Sequence, residues 1–234
     1  MKFRLPLFLI LVLLLIMSCK PKVQVYQEVD GLVAVEAEHF SSQSNSEVRS
    51  WYIHSVLDSS DVRPDLDFNH SKTASNKSYI EILPDTRVTH SDKLVRGENF
   101  SANGGNMAVI SYRIYFNNPG KYFVWVRAFS SGSEDNGVHV GLNGTWPESG
   151  QRMQWCEGKN QWTWASKQRT NEMHCGVPGL IFLEIPSKGL HTISFSMRED
   201  GFEMDKFILS KVYAEPEGMG QNETTKLINI KELQ

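Results

Sequence analysis

The sequence predicts an all-β fold, an antiparallel β-sandwich of the jelly-roll type with long loop insertions. Short apolar segments alternate in residue type with the two-residue period of strands. Turn sequences rich in Gly, Pro and Asn separate these segments, and no long amphipathic helical pattern occurs. The chain has 234 residues, which is enough for one sizeable hydrophobic core but too few for two comfortable ones.

The first part of the chain, residues 1–18, is predicted to be a signal peptide. Lys2 and Arg4 supply a positive start, and the apolar run that follows, 5–17, is too short to cross a bilayer as a helix. Cys19 ends a segment that resembles a bacterial lipobox, in which the cysteine is released by cleavage and acylated. The alternative is an ordinary signal peptide beside an unrelated cysteine. The resemblance implies an exported lipoprotein of the outer membrane or cell surface.

The remainder divides into three parts. Residues 19–29 are predicted to be the lipidated cysteine and a tether, residues 30–213 the folded domain, and residues 214–234 a loose polar tail. Strands are predicted at 31–38, 79–83, 107–116, 121–130, 137–142, 180–185, 190–197 and 202–212, and long loops at 41–77, 84–105 and 145–178.

The turns and one strand support the sandwich most directly. Asn117–Gly120 has the composition of a tight turn, and Asn143-Gly144 is a strong hairpin signal. The strand at 121–130 is largely apolar on both faces, which predicts a strand that is covered on both sides.

Three segments, in order, resemble the carbohydrate-binding modules of families 6 and 35. They are Val-Glu-Ala-Glu-His-Phe at 35–40, Gly-Lys-Tyr-Phe-Val-Trp-Val-Arg-Ala at 120–128, and Gly-Phe-Glu-Met-Asp-Lys-Phe-Ile-Leu at 201–209. The resemblance implies a galactose-binding-like sandwich that binds a polysaccharide or oligosaccharide. The insertions at 41–77 and 145–178 depart from the usual module, so the ligand-contacting loops of those families do not transfer.

The same resemblance implies a structural calcium ion. Its ligands would be Glu36 and Glu38 on the opening strand and Asp205 on the closing strand. Calcium takes six to eight oxygen ligands, which carboxylates and backbone carbonyls supply. The alternative interpretation is that the two glutamates form a solvated strand face and that Asp205 is an ordinary acid.

The tryptophans are the candidate sugar platform. Sugar rings have apolar C–H faces that stack on indoles, and their hydroxyls need amide, carboxylate or guanidinium partners. The alternative is that these tryptophans fill a small core of the long insertion. The candidate ligand-binding residues are Trp155, Trp162, Trp164, Asn160, Arg127, Asn136 and Trp51.

The cysteines, the net charge and the absence of catalytic motifs limit the possible functions further. Cys156 and Cys175 flank part of the Trp-rich loop and either form a disulfide or remain free thiols. The net charge of −3 argues against a nucleic-acid partner. No nucleophile elbow, zinc-protease motif or phosphate loop is present. We therefore expect no catalytic residues and a lipoprotein that binds glycan to support its capture or degradation, with glycan-degrading proteins as partners. The alternatives are a polysaccharide-cleaving enzyme and an adhesion scaffold with protein partners.

Overall fold

Two β-sheets form the architecture, as the sequence predicts. The structure, a computed structural model, describes residues 24–225, so the predicted signal peptide and Cys19 lie outside the described residues. The strands, numbered in chain order, are β1 (Val25–Gln27), β2 (Leu32–Glu36), β3 (Ser42–Ser44), β4 (Ser50–Ser55), β5 (Ser78–Leu83), β6 (Val109–Phe116), β7 (Gly120–Phe129), β8 (Gly137–Leu142), β9 (Met153–Gln154), β10 (Thr163–Ala165), β11 (Lys167–Gln168), β12 (Val177–Pro178), β13 (Phe182–Ile185), β14 (Gly189–Met197) and β15 (Glu203–Ser210).

The first sheet, here called sheet A, has the strand order β1-β6-β14-β8-β9-β11-β12, and β3 also pairs with β6. All its pairings are antiparallel except the one between β1 and β6. Sheet B has the order β10-β7-β15-β5-β4, with β13 added to β7 and β2 added to β15. Consecutive strands therefore often lie in different sheets, as in a jelly roll.

The main core lies between the two sheets and contains one face of each. From β7 it takes Val124, Val126 and Ala128, whose side chains pack with inward residues of β15 such as Phe207 and of β14 such as Phe195. The opposite face of β7 is also covered, because Trp125 belongs to a second, smaller cluster with Ala34, Trp164 and Ile208. The prediction of a strand buried on both sides is therefore confirmed.

The structure corrects the predicted loop at 41–77. Two strands, β3 and β4, lie within it, and β4 pairs along its whole length with β5. Short 3-10 helices occur at Ala37–His39, Ser71–Thr73, Ser75–Lys77 and Glu148–Gly150. Among the described residues, no helix is long and apolar enough to cross a membrane.

Both ends of the domain extend further than the sequence indicates. Residues 25–27, predicted to be tether, form β1, and the buried carboxylate of Glu28 accepts hydrogen bonds from Asn117 and Asn118. The described part of the predicted tail is not loose, because the Thr224 hydroxyl accepts a hydrogen bond from the Ala34 amide at 2.8 Å. These contacts pair polar groups across long sequence separations, which residue types alone do not indicate.

Candidate functional site

A groove crosses the outer face of sheet A. Ser111 on β6 and Thr192 and Ser194 on β14 point outward with small hydroxyl side chains, so this part of the face is shallow and polar. Ser111 and Ser194 lie directly opposite each other, and their Oγ atoms are 2.8 Å apart. The groove is lined by Ser44, Asn45, Gly105, Val109, Ser111, Asn143, Gly144, Trp146, Thr192 and Ser194.

The indole of Trp146 forms one wall of this groove. It follows the Asn143-Gly144 hairpin turn, which Thr145 closes with a backbone hydrogen bond of 2.9 Å to Leu142. Gly105 makes room for the ring, because a Cβ atom there would lie 2.2 Å from Nε1 of Trp146. The side chain is half-buried. The sequence analysis did not include Trp146 among the candidates, although the turn before it was recognised.

The groove offers hydrogen-bonding groups without charge. Its described lining residues contain no Asp, Glu, Lys or Arg. Asn143 is fixed in place, since its Oδ1 accepts from the Thr192 amide at 2.9 Å and its Nδ2 lies 2.9 Å from Nδ1 of His191. An indole beside fixed amide and hydroxyl groups matches the mixed apolar and hydroxylated surface of a sugar.

Three of the predicted platform tryptophans lie in the interior instead. Trp51 and Trp155 are 2% exposed, and their Nε1 atoms donate to the carbonyls of Ala108 and Thr163. Trp164 is buried by the C-terminal segment, since its Nε1 donates to the Gly218 carbonyl at 3.0 Å. They are core residues because neighbouring segments supply both an apolar surface and a hydrogen-bond acceptor.

Trp162 is the one predicted platform residue that is only half-buried. It lies on the outer face of sheet B, with its ring centre 5.4 Å from that of Tyr79 and 5.5 Å from that of Phe129. The Arg127 guanidinium lies 5.6 Å from the Trp162 ring centre and also pairs with Asp205 at 2.5 Å. Arg127 is therefore engaged within the protein.

The two predicted asparagines lie apart from the groove in sheet A. Asn136 is buried, where its amide donates to Glu199 at 3.1 Å and its side chain donates to the Ser133 carbonyl at 2.9 Å. Asn160 is exposed and its amide donates to the Ser130 carbonyl at 3.0 Å. Cys156 and Cys175 form a disulfide with a Cα–Cα distance of 5.4 Å, which ties the Trp-rich loop together.

The carboxylates predicted to bind calcium already have cationic partners. Lys206 Nζ lies 2.9 Å from Oε1 of Glu36, and Arg127 pairs with Asp205. Burial raises the pKa of Asp205 to about 6, and burial together with the charge of Glu36 raises the pKa of Glu38 to about 7. Protein cations thus contact two of the three carboxylates that are predicted to bind calcium. Calcium at this site stays a prediction.

A second set of ionisable groups lies further along the outer face of sheet B. His54, Asp65 and Glu81 form one triad, and Asp67, His70 and Glu203 form another; within each triad the possible ligand atoms lie within 4.8 Å of one another. Burial raises the pKa values of Glu81 and Glu203 well above those of ordinary carboxyl groups, and lowers the pKa of both histidines. Sequence analysis missed these triads because it treated 41–77 as uniform loop, whereas the fold brings His54, Asp65, Asp67 and His70 of that segment next to Glu81 and Glu203.

Comparison with known protein families shows the family to which the chain belongs. Residues 66–223, about two thirds of the sequence, match the family described as the glycosyl hydrolase family 115 C-terminal domain. The chain belongs to this family. The predicted likeness to carbohydrate-binding modules therefore holds at the coarser level of a β-sandwich domain from carbohydrate-active proteins.

Individual proteins and solved structures are similar to much of this chain. The uncharacterized protein P23 of Formosa agariphila is 62% identical over 186 residues, which cover 80% of the chain and 45% of P23. The chain thus spans less than half the length of this curated relative. Among solved structures, the GH26-CBM35 β-(1,4)-mannanase of Podospora anserina shares 13% identity with a TM-score of 0.41, over 81% of this chain and 29% of that one. An exo-β-1,3-galactanase of Phanerochaete chrysosporium shares 14% identity with a TM-score of 0.35, over 78% and 30%.

Proposed function

We propose that the chain binds carbohydrate without cleaving it, and that the groove beside Trp146 is the binding surface. One observation carries this proposal. The described lining of the groove combines a half-buried indole with hydroxyl and amide side chains and contains no charged side chain. A sugar ring would stack on the indole while its hydroxyls bond to Asn and Ser side chains. Membership in the family 115 C-terminal domain supports a role with polysaccharide.

The open shape of the groove favours segments of a glycan chain that lie along sheet A. Such binding would hold a polysaccharide near the proteins that degrade it, which are the expected partners. A pocket built for cleavage would instead need two carboxyl groups about 5 to 10 Å apart on either side of the sugar. The groove has none among its described lining residues.

The test is a panel of polysaccharides titrated against the wild type and Trp146→Ala. We expect affinity for the bound glycan to fall about tenfold or more, because an aromatic contact contributes on the order of 1 kcal/mol beyond the area it buries. Trp162→Ala removes a half-buried indole from the other sheet and is the matched control, with affinity unchanged. If only Trp162→Ala weakens binding, the surface lies on sheet B instead.

The same experiment distinguishes the proposed function from its alternatives. New reducing ends or unsaturated products released by wild-type protein would establish an enzyme. A panel in which no glycan binds would leave a scaffold with protein partners. A bound glycan that is recovered intact supports the proposal.

We also propose that Cys19 anchors the protein to a membrane through lipid. The lipobox-like segment before it supports this role. Fatty-acid labelling of cells that express the full chain should label the wild type but not Cys19→Ser, and the variant should leave the membrane fraction. Equal labelling of both would show that Cys19 is not the acylated residue.

A further inference from the structure

Two outward residues of sheet B lie close together with unused hydrogen-bonding capacity. His54 on β4 and Glu81 on β5 are 1% and 2% exposed in their side chains, and Nε2 of His54 lies 3.2 Å from Oε2 of Glu81. That contact lacks hydrogen-bond geometry. Both ring nitrogens of His54 and Oε2 of Glu81 are buried without any hydrogen-bond partner among the described residues.

Such unpaired groups are rare in native proteins. A buried polar atom without a partner costs about 1–3 kcal/mol, so each instance calls for an explanation. One explanation is a ligand that takes the place of the missing partner. Here three unpaired atoms on two side chains converge on the same small region.

The loop before β5 adds acidic groups to this region. Along Asp65-Leu66-Asp67-Phe68, the acids are partly buried, whereas Leu66 and Phe68 are 57% and 88% exposed. This alternation is the reverse of what solvation favours, because it exposes apolar side chains and turns carboxylates inward. It brings an oxygen of Asp65 within 4.8 Å of the ligand atoms of His54 and Glu81.

Further acidic side chains surround this pair. Glu203 is the direct cross-strand partner of Glu81, and it belongs to the second triad with Asp67 and His70. Among the described residues, no lysine or arginine forms an ion pair with Glu81 or Glu203. Arg63 pairs with Asp65 at 3.2 Å, and its side chain is 61% exposed. Glu81 and Glu203 therefore lack a counter-charge from lysine or arginine among the described residues, whereas Asp65 has one in Arg63.

We propose that His54, Asp65 and Glu81 bind a divalent transition-metal ion such as Zn²⁺ or Mn²⁺. One imidazole and two carboxylates are an N/O donor set that suits these ions, whereas Ca²⁺ and Mg²⁺ prefer oxygen ligands alone. Three protein ligands leave a coordination position for water or for a ligand oxygen. The second triad places two further acidic side chains beside this site. This site is on the opposite sheet from the Trp146 groove and does not depend on its role.

The first test is metal binding by the full chain after treatment with chelator and dialysis. Calorimetric titration with Zn²⁺ and with Mn²⁺ should show saturable binding, whereas Ca²⁺ should bind at least tenfold more weakly at this site. Co²⁺ should give visible absorption bands that Zn²⁺ abolishes by displacement. Absence of saturable binding by both Zn²⁺ and Mn²⁺ would overturn the proposal.

The second test assigns the ligands. His54→Gln and Glu81→Gln should each weaken binding by at least tenfold and remove the Co²⁺ bands. His174→Ala alters an exposed histidine and is the matched control, with binding unchanged. If His54→Gln keeps full affinity while His70→Ala loses it, the ion belongs to the second triad and the assignment is wrong.

Melting curves measured in chelator distinguish a variant that fails to bind metal from one that fails to fold. Glu81→Gln is nearly isosteric and removes an acid that has no protein counter-charge, so this variant should melt in chelator at or above the wild-type temperature. Added Zn²⁺ should then raise the melting temperature of the wild type but not that of the variant. An equal rise in both proteins would overturn the assignment of Glu81.

Discussion

Two acidic clusters lie on the same outer face of sheet B, and they differ in how their charge is balanced. At one, Glu36 and Asp205 pair with Lys206 and Arg127. At the other, Glu81 and Glu203 have no lysine or arginine partner among the described residues. Acidic residues on one sheet can therefore form internal ion pairs in one cluster and a candidate ligand site in the other.

A backbone irregularity explains part of the difference. The register between β15 and β7 shifts between Met204 and Lys206, which is the position of a β-bulge. The bulge lets Asp205 and Lys206 both reach outward partners, although they are adjacent in sequence. Glu203 precedes the bulge and keeps its regular pairing opposite Glu81. The bulge thus places Lys206 beside Glu36. Glu36, Asp205, Lys206 and Arg127 are called the balanced cluster below.

The largest expected effect comes from removing that cation. Lys206→Met leaves the buried carboxylate of Glu36 without its cationic partner, with only the Ser75 hydroxyl, among the described residues, donating to it, and breaking a buried ion pair in this way costs about 3–5 kcal/mol of unfolding free energy. Urea unfolding measures the loss. The double variant Lys206→Met/Glu36→Gln removes both charges and should recover most of the stability. A loss for the single variant that matches the loss for exposed Lys188→Met would contradict the balanced-cluster interpretation.

A second effect, on the pH dependence of stability, is expected at Asp85, which lies shortly after β5. Burial and the nearby charge of Asp200 raise the pKa of Asp85 from 3.8 to about 8. The folded state then holds a proton that the unfolded state releases, so stability is greater at low pH and falls as pH rises from about 4 to about 8. The slope contributed by one such proton is at most about 1.4 kcal/mol per pH unit.

Asp85→Asn is the variant that tests this expectation. Unfolding free energies measured in chelator across this pH range should decrease less steeply for the variant than for the wild type. Parallel pH profiles would show that Asp85 keeps an ordinary pKa in the folded protein.

The smallest effect is expected from calcium. Since Lys206 and Arg127 already neutralise Glu36 and Asp205, added Ca²⁺ should shift the wild-type melting temperature little. Lys206→Met frees Glu36 to act with Glu38 and Asp205, so Ca²⁺ should restore part of its lost stability. A marked rise for the wild type, lost on chelation, would instead establish the calcium site that the family resemblance predicts.

The fold was largely predictable, and the exceptions have physical causes. The predicted strand 137–142 coincides with β8, and β6, β7 and β14 deviate from prediction only near their ends. Their alternation is long and uninterrupted, so it indicates strands without knowledge of partners. By contrast, β4 is six residues long within a polar region, and it is a strand because β5 pairs with it.

The candidate site was less predictable, because exposure decides which tryptophan can bind. Sequence analysis selected Trp155 and Trp164, yet one lies in the main core and the other under the C-terminal segment. Trp146 was left out, although glycines far away in sequence make room for its ring. Residue type predicted that indoles matter but not which of them remains accessible.

The sequence by itself determined the β-sandwich, the covered strand β7 and the cysteines available for pairing. These properties depend on local periodicity and on turn residues, which can be recognised from consecutive positions in the sequence. Only the tertiary structure decided which carboxylates have cations beside them, which buried histidine lacks a hydrogen bond within the described part of the chain, and which indole faces a groove. Those properties depend on contacts between residues far apart in the chain, and the free energy of a buried charge is set by what surrounds it.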